Sequence, residues 1–213
     1  MLLEKERKLV VEYGKKLIDS GLTKGTGGNI SIINREKGLF CISPSGIDYY
    51  KTEASDVVVM NLDGEIVDGD KKPSSEKEMH RQVYLNFNEA NAVVHCHSVY
   101  ATALSTLREN LPASNYQIAV AGGEDVVCAE YQTYGTKGIA MAAVKALEGR
   151  KACLLANHGL LTYGKDIQNA FSIARTIEEC TMTYMIARTI GEPVILPTDE
   201  IDRMLVNFGH YGQ

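Results

Sequence analysis

The stretch Ala92-Val93-Val94-His95-Cys96-His97-Ser98 predicts a short buried β-strand that ends in a pair of histidines. Val93 and Val94 are apolar and β-branched, which favours a strand inside a sheet. Side chains at positions i and i+2 of a strand point to the same face, so we expect His95 and His97 to project together while Cys96 points to the opposite face. In a helix the two histidines would point in nearly opposite directions and could not meet.

Two imidazoles held side by side on a strand are suitable ligands for a divalent metal ion, and zinc is the first candidate. Two hydrogen-bonded histidines at a strand end are the alternative, because a His-x-His pair also occurs without metal. The pair alone does not decide between these two explanations, so the rest of the chain has to.

The composition is that of an ordinary globular protein, with 45% hydrophobic and 23% charged residues among 213, enough for one domain with a substantial core or two small ones. The net charge of -5 argues against a general nucleic-acid binder, although it leaves room for a local basic pocket. A charged N-terminus does not fit a signal peptide, and no apolar run approaches the length of a membrane span. The five cysteines are scattered without a C-x-x-C pair, so we expect reduced thiols, mostly in the core, and a cytoplasmic protein.

Helices and strands alternate along the chain without a strict βαβ rhythm. Apolar residues at helical spacing predict helices over 4–20, 72–85, 99–107, 136–147 and 166–189, with a short helical or irregular stretch over 112–121. Runs rich in β-branched residues predict strands over 30–33, 39–43, 56–61, 65–67, 92–98, 126–128, 152–156 and 160–163, and Asp63-Gly64 predicts a hairpin. We therefore predict a single α/β domain over 1–213, built as three layers with a central, largely antiparallel sheet flanked by helices, and a mobile tail from about residue 207.

A third histidine and a carboxylate extend the candidate metal site. His158 follows the apolar strand at 152–156, and three imidazoles with an open position form the ligand set of a catalytic zinc ion. Glu76 lies between polar residues at a predicted helix start, where it could be a labile ligand or a proton carrier. Ser74, Ser75 and Glu76 are also ordinary helix-capping residues, which is the alternative explanation for all three.

The glycine-rich stretch Gly25-Thr26-Gly27-Gly28-Asn29 predicts a turn whose backbone N–H groups could bind an anion. It lacks the spacing of a Walker loop, and by itself it fits a plain turn better than a phosphate site.

Five motifs together resemble the class II aldolase and adducin-head family, and within it most closely the L-fuculose-1-phosphate aldolases. The resemblance extends from about Glu4 to about Thr189. It implies an α/β sandwich-like domain on a nine-stranded sheet, assembled as a cyclic homotetramer with active sites between subunits. The matching motifs are Gly25-Thr26-Gly27-Gly28-Asn29-Ile30-Ser31, Ser43-Pro44-Ser45-Gly46, Pro73-Ser74-Ser75-Glu76, His95-Cys96-His97 and Asn157-His158-Gly159.

The resemblance also implies a role for each matched residue. His95, His97 and His158 would hold Zn²⁺, and Glu76 would ligate the metal or transfer a proton when substrate is bound. Tyr116 would reach the active site from a neighbouring subunit, with interface packing as the alternative. The substrate phosphate would be bound by Thr26, Gly27, Asn29, Ser45, Gly46, Ser74 and Ser75.

The implied reaction is the reversible cleavage of a sugar phosphate, a ketose 1-phosphate such as L-fuculose 1-phosphate. Its products would be dihydroxyacetone phosphate and an aldehyde such as L-lactaldehyde. Zinc would act as the Lewis acid, so no lysine Schiff base is needed. Glu76 would transfer the proton at the enediolate carbon and Tyr116 the proton on the aldehyde oxygen.

Two tyrosines lie outside the five motifs. Tyr134 stands where related aldolases carry phenylalanine, so the resemblance does not define the wall of the aldehyde pocket at this position. Tyr211 is a candidate lid residue, because related enzymes place a tail tyrosine over the active site, and a frayed terminus is the alternative.

Three other functions fit the same fold. A methylthioribulose-1-phosphate dehydratase also acts on a ketose 1-phosphate with zinc. Pentulose-phosphate 4-epimerases carry Asp after the paired serines, where this chain has Glu76, so this position favours the aldolase. A non-catalytic scaffold like the adducin head has no reason to keep three histidines and a glutamate. A metal-dependent aldolase is therefore the predicted function.

Overall fold

The chain folds around a nine-stranded sheet with helices on both faces. The structure is a computed structural model that describes the backbone of residues 1–210 and the side chains of residues 1–208. Within that range the strands are β1 Asn29–Asn34, β2 Leu39–Ile42, β3 Val58–Asn61, β4 Ile66–Asp68, β5 Ala92–Cys96, β6 Leu111–Pro112, β7 Asp125–Ala129, β8 Ala152–Leu155 and β9 Gly159–Gly164. The helices are α1 Glu4–Asp19, α2 Lys77–Asn86, α3 Val99–Leu107, a 3₁₀ helix Tyr116–Ala121, α4 Lys137–Ala146, α5 Ile167–Ile190 and α6 Thr198–His210.

The strands follow the order β4-β3-β2-β1-β5-β9-β8-β7-β6 across the sheet. Every neighbouring pair is antiparallel except β7 and β8, which run parallel. The predicted three-layer α/β fold with a largely antiparallel sheet is confirmed. Strand β5 lies in the middle of the sheet, where His95 faces Asn29 of β1 on one side and Leu161 of β9 on the other.

Two hydrophobic cores lie on opposite faces of the sheet. The first core contains residues of α1, α5 and the 3₁₀ helix, together with Val94 and Cys96 of β5. The second contains residues of α2 and α4 together with Val93 of β5. The alternation along β5 places His95 on the same face as Val93, toward α2, as strand geometry requires.

Most predicted elements are confirmed, with differences at their ends. Helix α1 ends at Asp19, and Gly21 takes a left-handed conformation with φ of 72°. The hairpin at Asp63-Gly64 joins β3 to β4. Helix α2 begins at Lys77 instead of within 72–76, because Pro73 forms a bridge to Pro44 ahead of it. The two-residue strand β6 is too short to leave a pattern in the sequence.

Helix α6 was not predicted from the sequence, and it includes the first residues of the segment expected to be a mobile tail. Ile201, Met204, Leu205 and Phe208 repeat at helical spacing and pack against the first core. Burial of this apolar face outweighs the helix-weakening effect of Gly209. Tyr211, the candidate lid residue, lies outside the described residues.

The cysteines lie mostly in the core, as the sequence analysis expected. All five cysteines are free, and Cys41, Cys96, Cys153 and Cys180 are buried. Over residues 1–210, the helices are too short or too polar to cross a lipid bilayer.

Candidate metal centre

The histidine pair lies at the end of β5, where the strand leaves the sheet. The rings of His95 and His97 are 4.8 Å apart between centroids, and their Nε2 atoms are 3.0 Å apart. Cys96 is fully buried in the core on the other face of the sheet. The predicted side-by-side placement of the two imidazoles is therefore confirmed.

A tight turn between β8 and β9 brings His158 to the same point. Asn157 has a left-handed φ of 54°, and its backbone N–H donates to the Ser105 carbonyl at 3.0 Å. Gly159 passes so close to the Cys96 carbonyl oxygen that a Cβ atom at this position would collide with it. The His158 ring consequently lies 4.8 Å from the His95 ring and 5.2 Å from the His97 ring.

Glu76 completes the cluster from the start of α2. It occupies the N-cap position, but its side chain makes no capping hydrogen bond. Its Oε2 lies 3.1 Å from His95 Nε2 and its Oε1 lies 3.4 Å from His158 Nε2. The local capping contact comes from Ser74, whose Oγ accepts the Glu76 backbone N–H at 3.2 Å. The capping explanation thus applies to Ser74, while the Glu76 carboxylate faces the histidines.

The donor set fits a divalent metal ion. One ligand atom each from Glu76, His95, His97 and His158 can be chosen so that all four lie within 4.8 Å of one another. Glu76 Oε1 is buried and has no hydrogen-bond partner, which is costly for a carboxylate oxygen unless a cation neutralises it. Three imidazoles and a carboxylate are ligands that zinc and other divalent transition metals accept.

The electrostatics of the cluster act differently on its members. Burial would lower the pKa of His95, but the Glu76 carboxylate outweighs burial and raises it. Partial removal from water and the charge on His95 together lower the pKa of both His97 and His158 to about 4. Burial would raise the pKa of Glu76, but the charge of His95 outweighs burial and holds that pKa below its usual value. Glu76 is therefore ionised and His97 and His158 are neutral at neutral pH, as metal binding requires.

A pocket of about 390 Å³ opens over Glu76, His97 and His158. All seven residues predicted to bind phosphate line it, and so does Tyr134, which is 68% exposed. The lining also includes Tyr131, Gln132 and Asn157, which the sequence analysis did not propose as site residues. Among the side chains of residues 1–208 that line this pocket, none is a lysine or arginine.

The glycine-rich turn passes close to the end of strand β5, which carries His95. Gly28 has a φ of 69°, and a Cβ atom there would lie 2.7 Å from the His95 carbonyl oxygen. Only glycine allows this close approach without strain. The next residue, Asn29, donates from Nδ2 to Glu76 Oε2 at 3.0 Å, so its amide is engaged inside the protein.

Similarity to known proteins identifies the family. The family described as Class II Aldolase and Adducin N-terminal domain matches residues 8–185. This chain belongs to the class II aldolase and adducin family. The resemblance inferred from the five motifs is confirmed. Class II aldolases depend on a metal ion, and Glu76 with the three histidines forms a site in the described part of the chain that could hold one.

Individual class II aldolases resemble this chain along its whole length. A protein of Bacillus thuringiensis serovar kurstaki named 5-deoxy-D-ribulose 1-phosphate aldolase is 53% identical over 213 residues, which is 100% of both chains. A protein of Rhodospirillum rubrum named 5-methylthioribulose-1-phosphate/5-deoxyribulose-1-phosphate aldolase is 37% identical and covers 95% of this chain and 90% of its own length. A solved structure described as L-fuculose 1-phosphate aldolase superposes with a TM-score of 0.94 at 49% identity, covering 96% of each chain.

Tyr116 does not line the pocket of its own chain in the described part of this class II aldolase. It begins the 3₁₀ helix, is 50% exposed, and stacks on Phe208 of α6 with ring centroids 6.2 Å apart. The described residues that line the pocket do not include it.

Two of the pocket residues that were not proposed from the sequence, Tyr131 and Asn157, contact the same arginine, Arg108. Arg108 takes a left-handed conformation at the end of α3, with φ of 56°. Its Nε donates to Asn157 Oδ1 at 3.0 Å, and its guanidinium lies 5.7 Å from the centre of the Tyr131 ring. The position of Asn157 beside His158 was the available sequence signal, whereas Tyr131 carried none.

Proposed function

We propose that this class II aldolase binds Zn²⁺ and reversibly cleaves a ketose 1-phosphate to dihydroxyacetone phosphate and a short aldehyde. The observation that carries the proposal is the convergence of Glu76 and three histidines, of which His97 and His158 line the pocket together with Glu76. The rim of the same pocket consists of small hydroxyl groups and glycine turns, which are suited to a phosphate group.

The phosphate is proposed to bind at the rim formed by the glycine-rich turn and the two serine-containing turns. The groups available there are the Thr26, Ser45, Ser74 and Ser75 hydroxyls and the backbone N–H of Gly46. Gly27 lines the same rim, but its N–H already donates to the Lys24 carbonyl at 3.2 Å. Hydroxyl and backbone N–H donors can bind an anion without a basic side chain. Asn29 belongs to the same rim, but contact between its amide and a phosphate would require a bond to Glu76 or His80 to break.

His95, His97 and His158 would hold the metal, and Glu76 would complete the ligand set in the absence of substrate. Bound Zn²⁺ would polarise the substrate carbonyl as a Lewis acid. In the direction of synthesis, the Glu76 carboxylate removes a proton from C3 of dihydroxyacetone phosphate. The C3 electron pair then forms the bond to the aldehyde carbon, and the aldehyde oxygen takes a proton from Tyr116. Cleavage reverses these steps.

A homotetramer with shared active sites is part of the proposal. Tyr116 lies half-exposed and outside the pocket of its own chain. A proton donor in that position can act only at the pocket of a neighbouring subunit. An assembly of this type requires no partner other than copies of the chain itself, and we propose that it works in the cytoplasm.

The substrate best supported is a 5-deoxypentulose 1-phosphate. The Bacillus relative named for 5-deoxy-D-ribulose 1-phosphate covers the whole chain at 53% identity. Breaking the C3–C4 bond of that sugar gives dihydroxyacetone phosphate and acetaldehyde. The sequence analysis favoured L-fuculose 1-phosphate, which remains the second candidate because of the structure described by that name.

The test is an assay of the zinc-loaded protein with three ketose 1-phosphates: 5-deoxy-D-ribulose, L-fuculose and 5-methylthioribulose 1-phosphate. We expect release of dihydroxyacetone phosphate from each sugar that reacts, with the highest kcat/KM for the 5-deoxypentulose. Loss of water without release of dihydroxyacetone phosphate would instead identify the dehydratase. Inversion at C4 would identify the epimerase, and no reaction with bound zinc would favour the scaffold.

A further inference from the structure

We propose that His80 is a positioning residue that acts through Asn29 to hold the Glu76 carboxylate in place. His80 lies on α2 and is fully buried. It is not among the described residues that line the pocket, and its hydrogen bonds are to Ser31 and Asn29. The sequence analysis gave it no role. The proposal deepens the proposed function, on which it rests, by naming the group that orients the proton-transfer residue.

A continuous series of hydrogen bonds joins the second core to the metal centre. The hydroxyl of Tyr84 lies 2.6 Å from Ser31 Oγ, and Ser31 Oγ lies 2.6 Å from His80 Nδ1. His80 Nε2 lies 2.5 Å from Asn29 Oδ1, and Asn29 Nδ2 lies 3.0 Å from Glu76 Oε2. Asn29, His80, Ser31 and Tyr84 are all buried, so water does not compete for these hydrogen bonds.

The donor and acceptor roles follow from the carboxylate end of the series. An ionised carboxylate only accepts hydrogen bonds, so Asn29 must present its NH₂ group to Glu76 and its oxygen to His80. Oδ1 only accepts, and therefore His80 must donate from Nε2. Burial lowers the pKa of His80 to about 3, with the charge on His95 acting in the same direction, so the ring is neutral. Its Nδ1 then accepts from the Ser31 hydroxyl, which in turn accepts from Tyr84.

This arrangement fixes which carboxylate oxygen is available for chemistry. Oε2 of Glu76 is held by Asn29, while Oε1 faces His158 and has no hydrogen-bond partner. A neutral His80 with its proton on Nε2 prevents the Asn29 amide from turning its oxygen toward the carboxylate. Partners of this kind behind a metal site or catalytic group commonly change activity by about 10- to 100-fold when removed.

The first test measures the His80 tautomer in the unmodified protein. Histidine-selective ¹⁵N labelling and long-range ¹H–¹⁵N spectra distinguish a proton on Nε2 from one on Nδ1. We expect His80 to be neutral with its proton on Nε2 from pH 5 to pH 8. A proton on Nδ1 would reverse the direction of the hydrogen bonds and overturn the proposal, whether or not any variant folds.

The second test compares His80→Leu with His80→Gln. Glutamine keeps an N–H donor near the position of Nε2, whereas leucine keeps the bulk without the donor. The readouts are zinc content, KM, kcat and the exchange of the C3 proton of dihydroxyacetone phosphate with solvent. Val83→Ala is the matched control, because Val83 is fully buried on the same helix and its side chain forms no hydrogen bond.

At equal zinc content, we expect His80→Leu to lower kcat and proton exchange by about 10-fold or more, with KM nearly unchanged, and His80→Gln to restore most of the loss. His80→Leu combined with Asn29→Ala should be no slower than Asn29→Ala alone, because the two residues act in series. Equal losses in His80→Leu, His80→Gln and Val83→Ala would show a packing role and overturn the proposal. If the unmodified protein shows no exchange, the proposed function fails, whereas the tautomer result still stands or falls separately.

Discussion

The Nδ1 atom of His95 lies 2.9 Å from the carbonyl oxygen of Leu160, on the neighbouring strand β9. A carbonyl only accepts, so Nδ1 carries a ring proton, and Nε2 is the atom that would ligate a metal ion once its own proton is released. The backbone of the sheet therefore selects the tautomer of the most deeply buried histidine of the cluster. Because a β-sheet is rigid, this ligand atom is already oriented before any metal arrives.

We predict about one zinc ion per chain in protein purified without chelator, because three imidazoles and a carboxylate form a complete ligand set. His158→Ala should lose most of the bound metal, because it removes one of the three imidazoles and leaves the site dependent on Glu76, the ligand proposed to release the metal when substrate binds. Elemental analysis after gel filtration measures both proteins. Absence of divalent metal from the unmodified protein, with no gain of activity on adding Zn²⁺, would contradict the assignment.

We predict that Ser75→Ala weakens substrate binding more than turnover. Ser75 lines the pocket and is exposed, so its hydroxyl is free to contact a phosphate. Loss of one hydrogen bond to a charged group should raise KM roughly 10-fold, with a small change in kcat. Ser20→Ala, which removes an exposed serine hydroxyl at the end of α1, should leave both constants unchanged. An unchanged KM in Ser75→Ala would remove this residue from the phosphate site.

We predict that two inactive chains restore activity when mixed. Tyr116 is not among the described residues that line the pocket of its own chain. If it acts at a neighbouring pocket, a hybrid of Glu76→Gln and Tyr116→Phe subunits contains interfaces where an intact Glu76 meets an intact Tyr116. Refolding a mixture of the two variants should recover activity that neither variant shows when refolded alone. Hybrids as inactive as their parents would exclude a shared site.

We predict a large stability loss for Arg7→Met. Arg7 is 1% exposed and donates to the Leu2 carbonyl at 2.8 Å, the Val57 carbonyl at 2.5 Å and Asp68 Oδ2 at 2.6 Å. Removing the guanidinium leaves the buried Val57 carbonyl and the partly buried Leu2 and Asp68 acceptors without this donor, which should lower the free energy of unfolding by about 3 kcal/mol.

The matched control for that change is Lys8→Met. Lys8 pairs only with Glu4 on the surface of α1, so its loss should change the free energy of unfolding by about 0.5 kcal/mol or less. Urea unfolding at one fixed protein concentration compares the two variants, because an oligomer unfolds in a concentration-dependent way. Similar losses in both variants would contradict the role given to Arg7.

The features that could be predicted from the sequence are those with a local pattern. The alternation around Val93 and Val94 was enough to place His95 and His97 on one face, and the turn at Asn157-His158-Gly159 was visible as a motif. Short elements and distant partners leave no such pattern. Strand β6 has only two residues. His80 is hydrogen-bonded to Asn29 and Ser31, which lie about 50 residues earlier in the chain, so no local pattern around His80 indicates these contacts.

The tail shows why pattern and packing must be read together. Gly209 suggested a broken, mobile end, yet Ile201, Met204 and Leu205 already follow helical spacing and pack on the first core. Similarly, Glu76 was consistent with either capping or chemistry, because both need a carboxylate at a helix start. Two structural observations favour the chemical role: the Glu76 side chain makes no capping hydrogen bond, and its Oε2 lies 3.1 Å from His95 Nε2.

The central claim is that Glu76 transfers the substrate proton, and Glu76→Gln tests it because glutamine keeps the shape of the side chain and removes its proton chemistry. Three imidazoles remain to hold the metal, so zinc should stay bound. Glu78→Gln is the matched control, since Glu78 lies two residues along the same helix and contacts Arg81 and Gln82.

The decisive measurement is the exchange of the C3 proton of dihydroxyacetone phosphate with solvent, in zinc-loaded protein without aldehyde. We expect Glu76→Gln to lower this exchange by roughly 100-fold or more, the usual scale for losing a positioned base, while Glu78→Gln exchanges at the rate of the unmodified protein. Exchange at the unmodified rate in zinc-loaded Glu76→Gln would show that Glu76 does not transfer the substrate proton.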